Sequence, residues 1–358
     1  MKKKLLKSLL LGVSLFVWSC SENSTSLTQT ENSTLLGVAQ TSGQLASGTS
    51  FSINGVADST SNPNNHNGGH KEPGHHGHQG FPLDGTNLLA PTNELLAIIE
   101  AESAGDFRGM HMHNKGGANI TNYDASGNLI ALPAPEAKGP EGCSFSGGQF
   151  PKSDSLLSKI AKTIIDFGSG VTENHDTVSI TRSGKIIITR SGDKSNRTET
   201  TTFENYKVND NLIEGTKTRV STFVKVDLTA TGNSATHVTG GKITFSDGTV
   251  ATWVSDKQRK SSLTFDSNSN RPVSGEITTE GGTVVTSLDN SILYSHLITK
   301  AITENIACGR DHHGPVSGTI ETHYKTDAIS IDFGDGSCSN ETITVTINGV
   351  TTAKTIGD

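Results

Sequence analysis

Aromatic residues, cysteine and basic charge are scarce in this chain of 358 residues. Phe, Trp and Tyr make up 5% of it, which argues against a carbohydrate-binding surface of stacked rings. Tyr206, Trp253 and Tyr324 are the few candidates for such a surface. The 29 Lys and Arg residues are outnumbered by 36 Asp and Glu, and no basic cluster follows the first few residues. This balance argues against a nucleic-acid partner.

Common catalytic and zinc-binding motifs are also missing. The chain contains no HExxH, GxSxG or GxxxxGK[ST] string, which are signatures of metalloproteases, serine hydrolases and P-loop proteins. None of its four cysteines lies at CxxC spacing, so a zinc ribbon has no support. These absences favour a protein that is not an enzyme. An enzyme acting on an extracellular polymer stays open, because paired carboxylates can come from distant strands.

The N-terminus has the pattern of a secretory signal. Four lysines within the first seven residues precede the apolar run LLLGVSLFVW, and the small residue Ser19 stands before Cys20. The apolar run is about half of the ~20 residues that a membrane-spanning helix needs. The string VWSC resembles the lipobox of bacterial lipoproteins, which implies cleavage after residue 19 and acylation of Cys20, for example with palmitate. The alternative is an ordinary signal peptide with an incidental cysteine.

Lipid attachment at Cys20 predicts a protein anchored at the outer membrane or cell surface. In many enterobacterial lipoproteins an aspartate directly after the cysteine retains the protein at the inner membrane, whereas Ser21 follows Cys20 here. Two or more acyl chains suffice for stable attachment. The expected partners are therefore the membrane, through the lipid, and an unknown surface or extracellular ligand.

Composition divides the remaining chain into three regions. Residues 20–80 are rich in Ser, Thr, Asn and Gly, and predict a disordered tether that contains a His-rich tract. Residues 81–160 predict a loop-rich region with one or two short helices, in PTNELLAIIEAES and SDSLLSKIAK. Residues 161–358 predict a β-rich body.

Period-two alternation predicts the fold class of that body as mainly β. Val220, Val224 and Val226 alternate with polar residues, as do the apolar residues of TITVTI at 342–347. Asp247-Gly248 and Asn348-Gly349 are typical of two-residue hairpin turns. Few connections have room for a crossover helix, so we expect antiparallel pairing. The alternation leaves two architectures open, a meander sheet and a two-sheet sandwich.

A six-residue string occurs twice, as IDFGSG at 165–170 and IDFGDG at 331–336. Calcium binding by Asp332 and Asp335 would need six to eight oxygen ligands and normally more acidic residues nearby. We expect instead tight turns, in which the aspartates accept hydrogen bonds from their own backbone and the glycines adopt positive φ. The second string also resembles the WDFGDG turn of PKD-type β-sandwich domains, without the rest of that pattern.

Several motifs between about 160 and 350 resemble a family of uncharacterised lipoproteins of the Bacteroidota type. They are the two IDFG turns, SGKIIITRSG, FENYKVNDNLIEGTKT and GKITFSDGTVATWVS, in that order apart from the second turn. The resemblance implies a β-rich body and an exported, lipidated chain. It implies no activity.

Three cysteines follow the predicted signal. An exported protein meets an oxidising environment, so we expect one disulfide and one remaining thiol. Cys308 and Cys338 are the preferred pair because both lie in turn-rich stretches between predicted strands. Cys143 could replace either partner.

Histidines give the chain its only compositional signal for chemistry. Five of them lie within thirteen residues, and two more form a His-x-His pair. Neutral imidazole is a good ligand for zinc and nickel, so these residues predict a metal site as an alternative to a polar spacer. The candidate ligands are His66, His70, His75, His76, His78, His111 and His113. The first interpretation of the whole chain remains a structural, adhesive or binding protein that needs no cofactor.

Overall fold

The computed structural model describes residues 35–36, 38–39, 42–43, 52–53, 117–131, 158–175, 178–193, 195–269, 271–308, 314–339 and 342–357. The early strands are β1 (Ser52–Ile53), β2 (Asn119–Tyr123), β3 (Leu129–Ile130), β4 (Lys162–Asp166) and β5 (Val171–His175). The long strands are β6 (Val178–Gly192), β7 (Asn196–Val208), β8 (Asn211–Val226), β9 (Thr229–Thr244), β10 (Val250–Phe265), β11 (Pro272–Ser287) and β12 (Ile292–Asn305). A short 3₁₀ helix (Ile306–Cys308) leads to β13 (Ser317–Tyr324), β14 (Asp327–Asp335), β15 (Thr342–Ile347) and β16 (Val350–Gly357).

The described strands form a single sheet. From β6 to β16 each strand pairs with the next along the chain, and every pair is antiparallel. Strand β4 pairs with β6 and carries β2 and β3 beyond it, while β1 pairs with β16 at the opposite side. This confirms the antiparallel meander and, of the two predicted architectures, selects one continuous sheet.

Both dipeptides lie in hairpin turns, but only Asn348-Gly349 forms the predicted two-residue turn. Ser246, Asp247 and Gly248 join β9 to β10 in a longer turn, in which the Phe245 amide donates to the Thr249 carbonyl at 2.8 Å and Gly248 has φ 86°. Asn348 and Gly349 join β15 to β16 with φ 48° and 84°. Positive φ at both residues matches the right-handed twist of the strands that such a turn connects.

One face of the sheet carries the hydrophobic core and is called the core face; the opposite face is called the outer face. Directly paired residues of antiparallel strands share a face. The register pairs Trp253 with Val285 and Val285 with Tyr294, and all three side chains are fully buried. Ile331 and Val345 form a similar buried pair between β14 and β15. The core therefore runs across the strands rather than between two separate sheets.

Part of the predicted tether packs against this core. Leu35, Leu36, Val38 and Ala39 have helical backbone and are buried in the same hydrophobic cluster as the sheet. The Ser42 hydroxyl lies 2.9 Å from the Tyr294 hydroxyl in a buried hydrogen bond. These residues follow the i, i+1, i+3, i+4, i+7 spacing of one helix face. The composition of residues 20–80 does not reveal this helix face, because small polar residues surround its few apolar residues in the sequence.

The sheet also begins before the predicted boundary at residue 161. Strands β2 and β3 lie within the region predicted to be loop-rich, and β2 pairs with β4. In SDSLLSKIAK, Ser158 and Lys159 form a turn and β4 starts at Lys162, so this part is not helical. The segment PTNELLAIIEAES lies outside the described residues.

The repeated IDFG string forms the expected local hydrogen bonds in both copies and the expected turn in the first copy. The Asp166 carboxylate accepts a hydrogen bond from the Gly168 amide, and the Asp332 carboxylate accepts one from the Gly334 amide, both at 2.8 Å. Both glycines have positive φ. The Asp335 carboxylate in turn accepts a hydrogen bond from the Ser337 amide at 3.0 Å. The first copy turns directly after β4, whereas the second lies inside β14, where the register shift opposite Ser317 and Thr319 indicates a bulge.

Strand β8 exists as predicted, but its alternating apolar residues point away from the core. Val220, Val224 and Val226 are 43–61% exposed on the outer face, whereas Lys217 is only 6% exposed on the core face. The register explains this orientation, because Ile213 and Lys217 share the core face and residues two apart continue it. Strand β15 behaves as expected, with Ile343, Val345 and Ile347 buried.

Candidate functional site

The predicted lipidation and metal-binding residues lie outside the described part of the chain. This applies to Cys20, to the five histidines between 66 and 78, and to His111 and His113. In the parts of the chain that the structure describes, no three His, Cys, Asp or Glu side chains cluster as metal ligands. The described helical residues include no apolar helix of bilayer-spanning length.

Cys308 and Cys338 form a disulfide with a Cα–Cα distance of 5.0 Å. This is the pair that the sequence analysis preferred, and Cys143 lies outside the described residues. The bond links the 3₁₀ helix after β12 to the connection between β14 and β15. It therefore links the two chain segments that follow β12 and β14 at the same end of the sheet.

The aromatic candidates for a ligand-stacking surface belong to the core. Tyr206 and Trp253 are fully buried, and Tyr324 is 8% exposed. The Tyr206 ring packs between Phe167 and Phe203 with centroid separations of 5.7 Å. Their role is packing, so a carbohydrate surface of stacked rings does not form at these positions.

A group of charged side chains occupies the core face where the long strands continue beyond the apolar core. We call this group the basic face. Its residues are Arg190, Arg197, Glu199, Lys217, Arg219, Lys257, Arg259 and Glu304. It thus contains six cations and two carboxylates, in a chain whose formal net charge is −7. Positive charge is therefore concentrated on the core face instead of being spread evenly over both faces of the sheet.

Register places these residues side by side. Arg190 pairs with Glu199 and Glu199 with Arg219, which is opposite Thr236 on β9. Thr236 in turn pairs with Lys257 of β10. Neighbouring strands lie about 4.8 Å apart, so this row spans about 19 Å across five strands.

Two residues further along the strands, a second row runs parallel to the first. Arg197 pairs with Ser221, Ser221 with Ser234, and Ser234 with Arg259. Small hydroxyl side chains thus separate the two arginines. The spacing therefore keeps the two guanidinium groups apart.

Arg190 is a buried cation of the basic face, with 8% of its surface exposed. Its Nε lies 2.9 Å from a Glu199 carboxylate oxygen, and its Nη1 donates to the Thr163 hydroxyl at 2.8 Å. Thr163 donates onward to the Asn122 side chain at 2.9 Å. Burial lowers the pKa of Arg190 below its ordinary value, Glu199 opposes this shift, and Arg197 adds to it. The like-charge effect of Arg197 shows that the cations act on one another.

Arg259 and Glu304 form the second ion pair of this face. Arg259 Nη2 lies 3.1 and 3.2 Å from the two Glu304 carboxylate oxygens. Burial raises the pKa of Glu304 above its ordinary value, and Arg259 counteracts part of this shift.

The outer face of the same strands differs in its charge pattern. Its lysines lie beside carboxylates, with Lys242 2.8 Å from Glu214 and Lys185 3.6 Å from Asp166. Lys260 lies 4.0 Å from Glu280. The outer face is therefore balanced, and the positive excess of the described sheet lies on the core face.

Sequence reasoning missed the basic face because its members are scattered over more than a hundred residues. Alternation in β10 carried a signal: Lys257 and Arg259 share the parity of Ala251 and Trp253. Charged residues in line with a buried tryptophan indicate a polar site on the core face. Chemically, convergent guanidinium and ammonium groups bind carboxylate, sulfate or phosphate.

Comparisons of the chain with protein-family models, with curated proteins and with solved structures found no match. The resemblance to lipoproteins of the Bacteroidota type stays a prediction.

Proposed function

We propose that the protein is a non-enzymatic lipoprotein of the outer membrane or cell surface that binds an acidic extracellular polymer on its basic face. The single observation that carries this proposal is the segregation of six cations and two carboxylates onto one face of the sheet. A concentrated positive field attracts anionic ligands even when the net charge of the protein is negative.

The spacing of the cations favours a polymer over a single small anion. Arg219 and Lys257 lie two strands apart, which is about 10 Å, and Arg197 and Arg259 lie three strands apart, about 14 Å. One phosphate or carboxylate cannot contact cations at such distances. A chain with repeated carboxylate or sulfate groups can, and a uronic-acid polysaccharide is the simplest ligand of that chemistry.

A paired charge-removal experiment tests this proposal. The soluble Cys20→Ala chain is titrated with polygalacturonate and with heparin at several salt concentrations, with neutral dextran as the uncharged control. Arg197→Gln combined with Arg219→Gln should weaken binding about tenfold at low salt and flatten the salt dependence. Lys242→Gln combined with Lys260→Gln removes the same charge from the outer face and should change affinity less than about twofold.

Two results would contradict the basic face as a binding site. One is a wild-type chain that binds neither polyanion at low salt. The other is an equal loss of affinity in the core-face and outer-face pairs, because that result would assign binding to net charge alone.

Anchoring through Cys20 is tested separately in cells. The Cys20→Ala chain should leave the membrane fraction and appear in the soluble fraction, since the thiol that carries the lipid is gone. A variant that stays with the membrane as the wild type does would remove lipidation at Cys20 from the proposal. Ser19→Ala, which keeps a small residue before the cysteine, serves as the matched control.

Metal capture by the His-rich tract is a second candidate function, and it rests on five histidines within thirteen residues. Because the ligands must be neutral, zinc or nickel binding should weaken as the pH falls through about 6.5. Calorimetric titration with and without residues 61–80 tests it. Affinity weaker than about 10 µM, or unchanged by the deletion, would leave the tract as a spacer.

A further inference from the structure

We propose that the apolar end of the long hairpins is a lipid-docking surface, through which the folded sheet rests on the bilayer. We call this surface the hairpin end. Its exposed apolar residues are Val220, Phe223, Val224, Val226, Leu228 and Val273.

The composition of the long strands changes twice along the core face. In β10 the face starts with Ala251 and Trp253, continues with Lys257 and Arg259, and returns to apolar residues at Leu263 and Phe265. The first apolar zone is buried, whereas the last one reaches the hairpin end. A second apolar zone beyond a charged one is not required by the core, so it needs another explanation.

The hairpin end projects beyond the neighbouring strand. The pairing of β8 with β7 stops at Thr222, followed only by a hydrogen bond from the Phe223 amide to the Ser195 carbonyl at 2.9 Å, and beyond Phe223 the described residues of β8 pair only with β9. The Phe265 amide donates to the Leu228 carbonyl at 2.7 Å, which ties the β10–β11 hairpin to the tip of β8–β9. The two hairpins therefore form one projection.

Apolar side chains surround this projection instead of covering one side of it. Val224 and Val226 point to the outer face, Phe223 points to the core face, and Leu228 lies in the turn. A protein partner that docks on a sheet covers one face. A lipid phase contacts a projection from all sides, and for this reason the distribution favours a bilayer over a second protein surface.

Charges around the hairpin end balance one another. Lys225 and Arg271 are opposed by Asp227 and Asp266, and the Lys225 ammonium lies 4.0 Å from the centre of the Phe265 ring. A cation held over an aromatic ring keeps its aliphatic stem along apolar surface. Docking should therefore depend on apolar area and not on anionic lipid.

The proposed lipid anchor has the reach that this placement requires. Fifteen residues separate Cys20 from Leu35, the first described residue that packs in the core, and they span at most about 50 Å. The hairpin end lies about 40 Å along the strands from the row of Trp253. This step rests on the proposed anchor, whereas the exposure of the hairpin end does not.

The experiment uses the soluble Cys20→Ala chain, so that it succeeds or fails independently of lipidation. Flotation with vesicles of phosphatidylcholine, alone or with phosphatidylglycerol, measures partitioning. Val224→Ser, Val226→Ser and Leu228→Ser combined should lower the partition coefficient at least about tenfold in both vesicle types. The matched control combines Leu129→Ser, Leu288→Ser and Val350→Ser, which are 65–72% exposed elsewhere, and should bind as the wild type does.

A site-specific readout accompanies the flotation. Leu228→Trp should show a blue-shifted emission when vesicles are added, whereas Leu288→Trp, in the turn at the opposite end of the long strands, should not shift.

Three outcomes would overturn the proposal. The first is a wild-type chain that does not float with either vesicle type. The second is flotation that needs phosphatidylglycerol, disappears with salt and survives the hairpin-end substitutions, which would assign membrane binding to charge. The third is a concentration-dependent dimer, measured by sedimentation, that the same three substitutions abolish, because the hairpin end would then bind a second copy of this chain.

Discussion

Two neighbouring parts of the core face are built from the same long strands. The apolar half is the buried core, and the basic half is the basic face. In β10 the two halves are only four residues apart, with Trp253 fully buried and Lys257 partly exposed. Leu35, Leu36 and their helical neighbours belong to the same buried hydrophobic cluster as the apolar half. The basic half continues the same hydrogen-bonded ladder into a region that presents charge. A long strand can thus carry core and binding surface in succession.

The comparison also shows how the basic half is held in place. Arg190 is embedded through Glu199, Thr163 and Asn122, so one cation forms part of the interior. Arg197 and Arg219 lie farther out and are partly exposed. We therefore expect substitution of Arg190 to affect mainly stability, and substitution of Arg197 or Arg219 to affect mainly binding.

The largest effect is expected in the apolar half, at Trp253. Trp253→Ala should reduce the free energy of unfolding by about 4 kcal/mol, because it leaves a large cavity in a fully buried site. Val254→Ala is the matched control, since the adjacent side chain is 55% exposed on the outer face and should cost below about 0.5 kcal/mol. Urea denaturation measures both, and similar losses would erase the distinction between the two faces.

The ion pair of the basic half should follow. Arg190→Met should reduce the free energy of unfolding by about 3 kcal/mol, because Glu199 then keeps a largely buried charge without its closest cation. Adding Glu199→Leu should recover most of this loss. A double variant as unstable as the single one would show that Arg190 stabilises through its packing rather than through its charge.

A somewhat smaller effect is expected at the N-terminal helical residues that are buried with the apolar half. Leu36→Ala should reduce the free energy of unfolding by about 2–3 kcal/mol, because the side chain is buried in the core cluster. Leu129→Ala, at a 65% exposed position, serves as the control and should be nearly neutral. If the Leu36 variant and the wild type unfold at the same temperature, Leu36 does not stabilise the sheet by packing on it.

The smallest effect is a dependence on pH at the border of the basic half. Burial raises the pKa of Glu304, so the folded protein binds its proton more tightly than the unfolded chain does. The stability that Glu304 contributes is therefore present below the unfolded pKa and is lost as the pH rises through the folded pKa. Denaturation between about pH 4 and about pH 7 should show this loss in the wild type and not in Glu304→Gln.

An exposed position provides the control for that experiment. Glu276→Gln changes the same chemistry on the outer face and should leave the pH profile as in the wild type. An unchanged profile in Glu304→Gln would assign the dependence to other carboxylates.

Local patterns were the part of this fold that could be predicted. All four dipeptides and strings, Asp247-Gly248, Asn348-Gly349 and the two IDFG strings, contain the expected glycine at positive φ, and Asn348-Gly349 and the first IDFG string also formed the expected turn. Alternation likewise located strands such as β8 and β15. These features depend on interactions within a few residues, which the sequence displays directly.

The candidate site could not be predicted in this way. Arg190, Arg219 and Arg259 come together through the register of several hairpins, and a register shift of one residue would move a strand's side chains to the other face. In β8 the parity of the valines predicted the strand but not its orientation, which Ile213 and the neighbouring strands set.

The amino-acid sequence by itself determined the antiparallel β class and the positions of most turns, since these follow from local residue chemistry, and it favoured the disulfide between Cys308 and Cys338 while Cys143 stayed open as a partner. The tertiary structure decided which face of β8 is buried, that Leu35 and its neighbours pack on the sheet, and that six cations share one surface. Those decisions depend on contacts between residues that are far apart in the chain, and the physical reason is that burial favours the register with the largest apolar overlap across all strands at once.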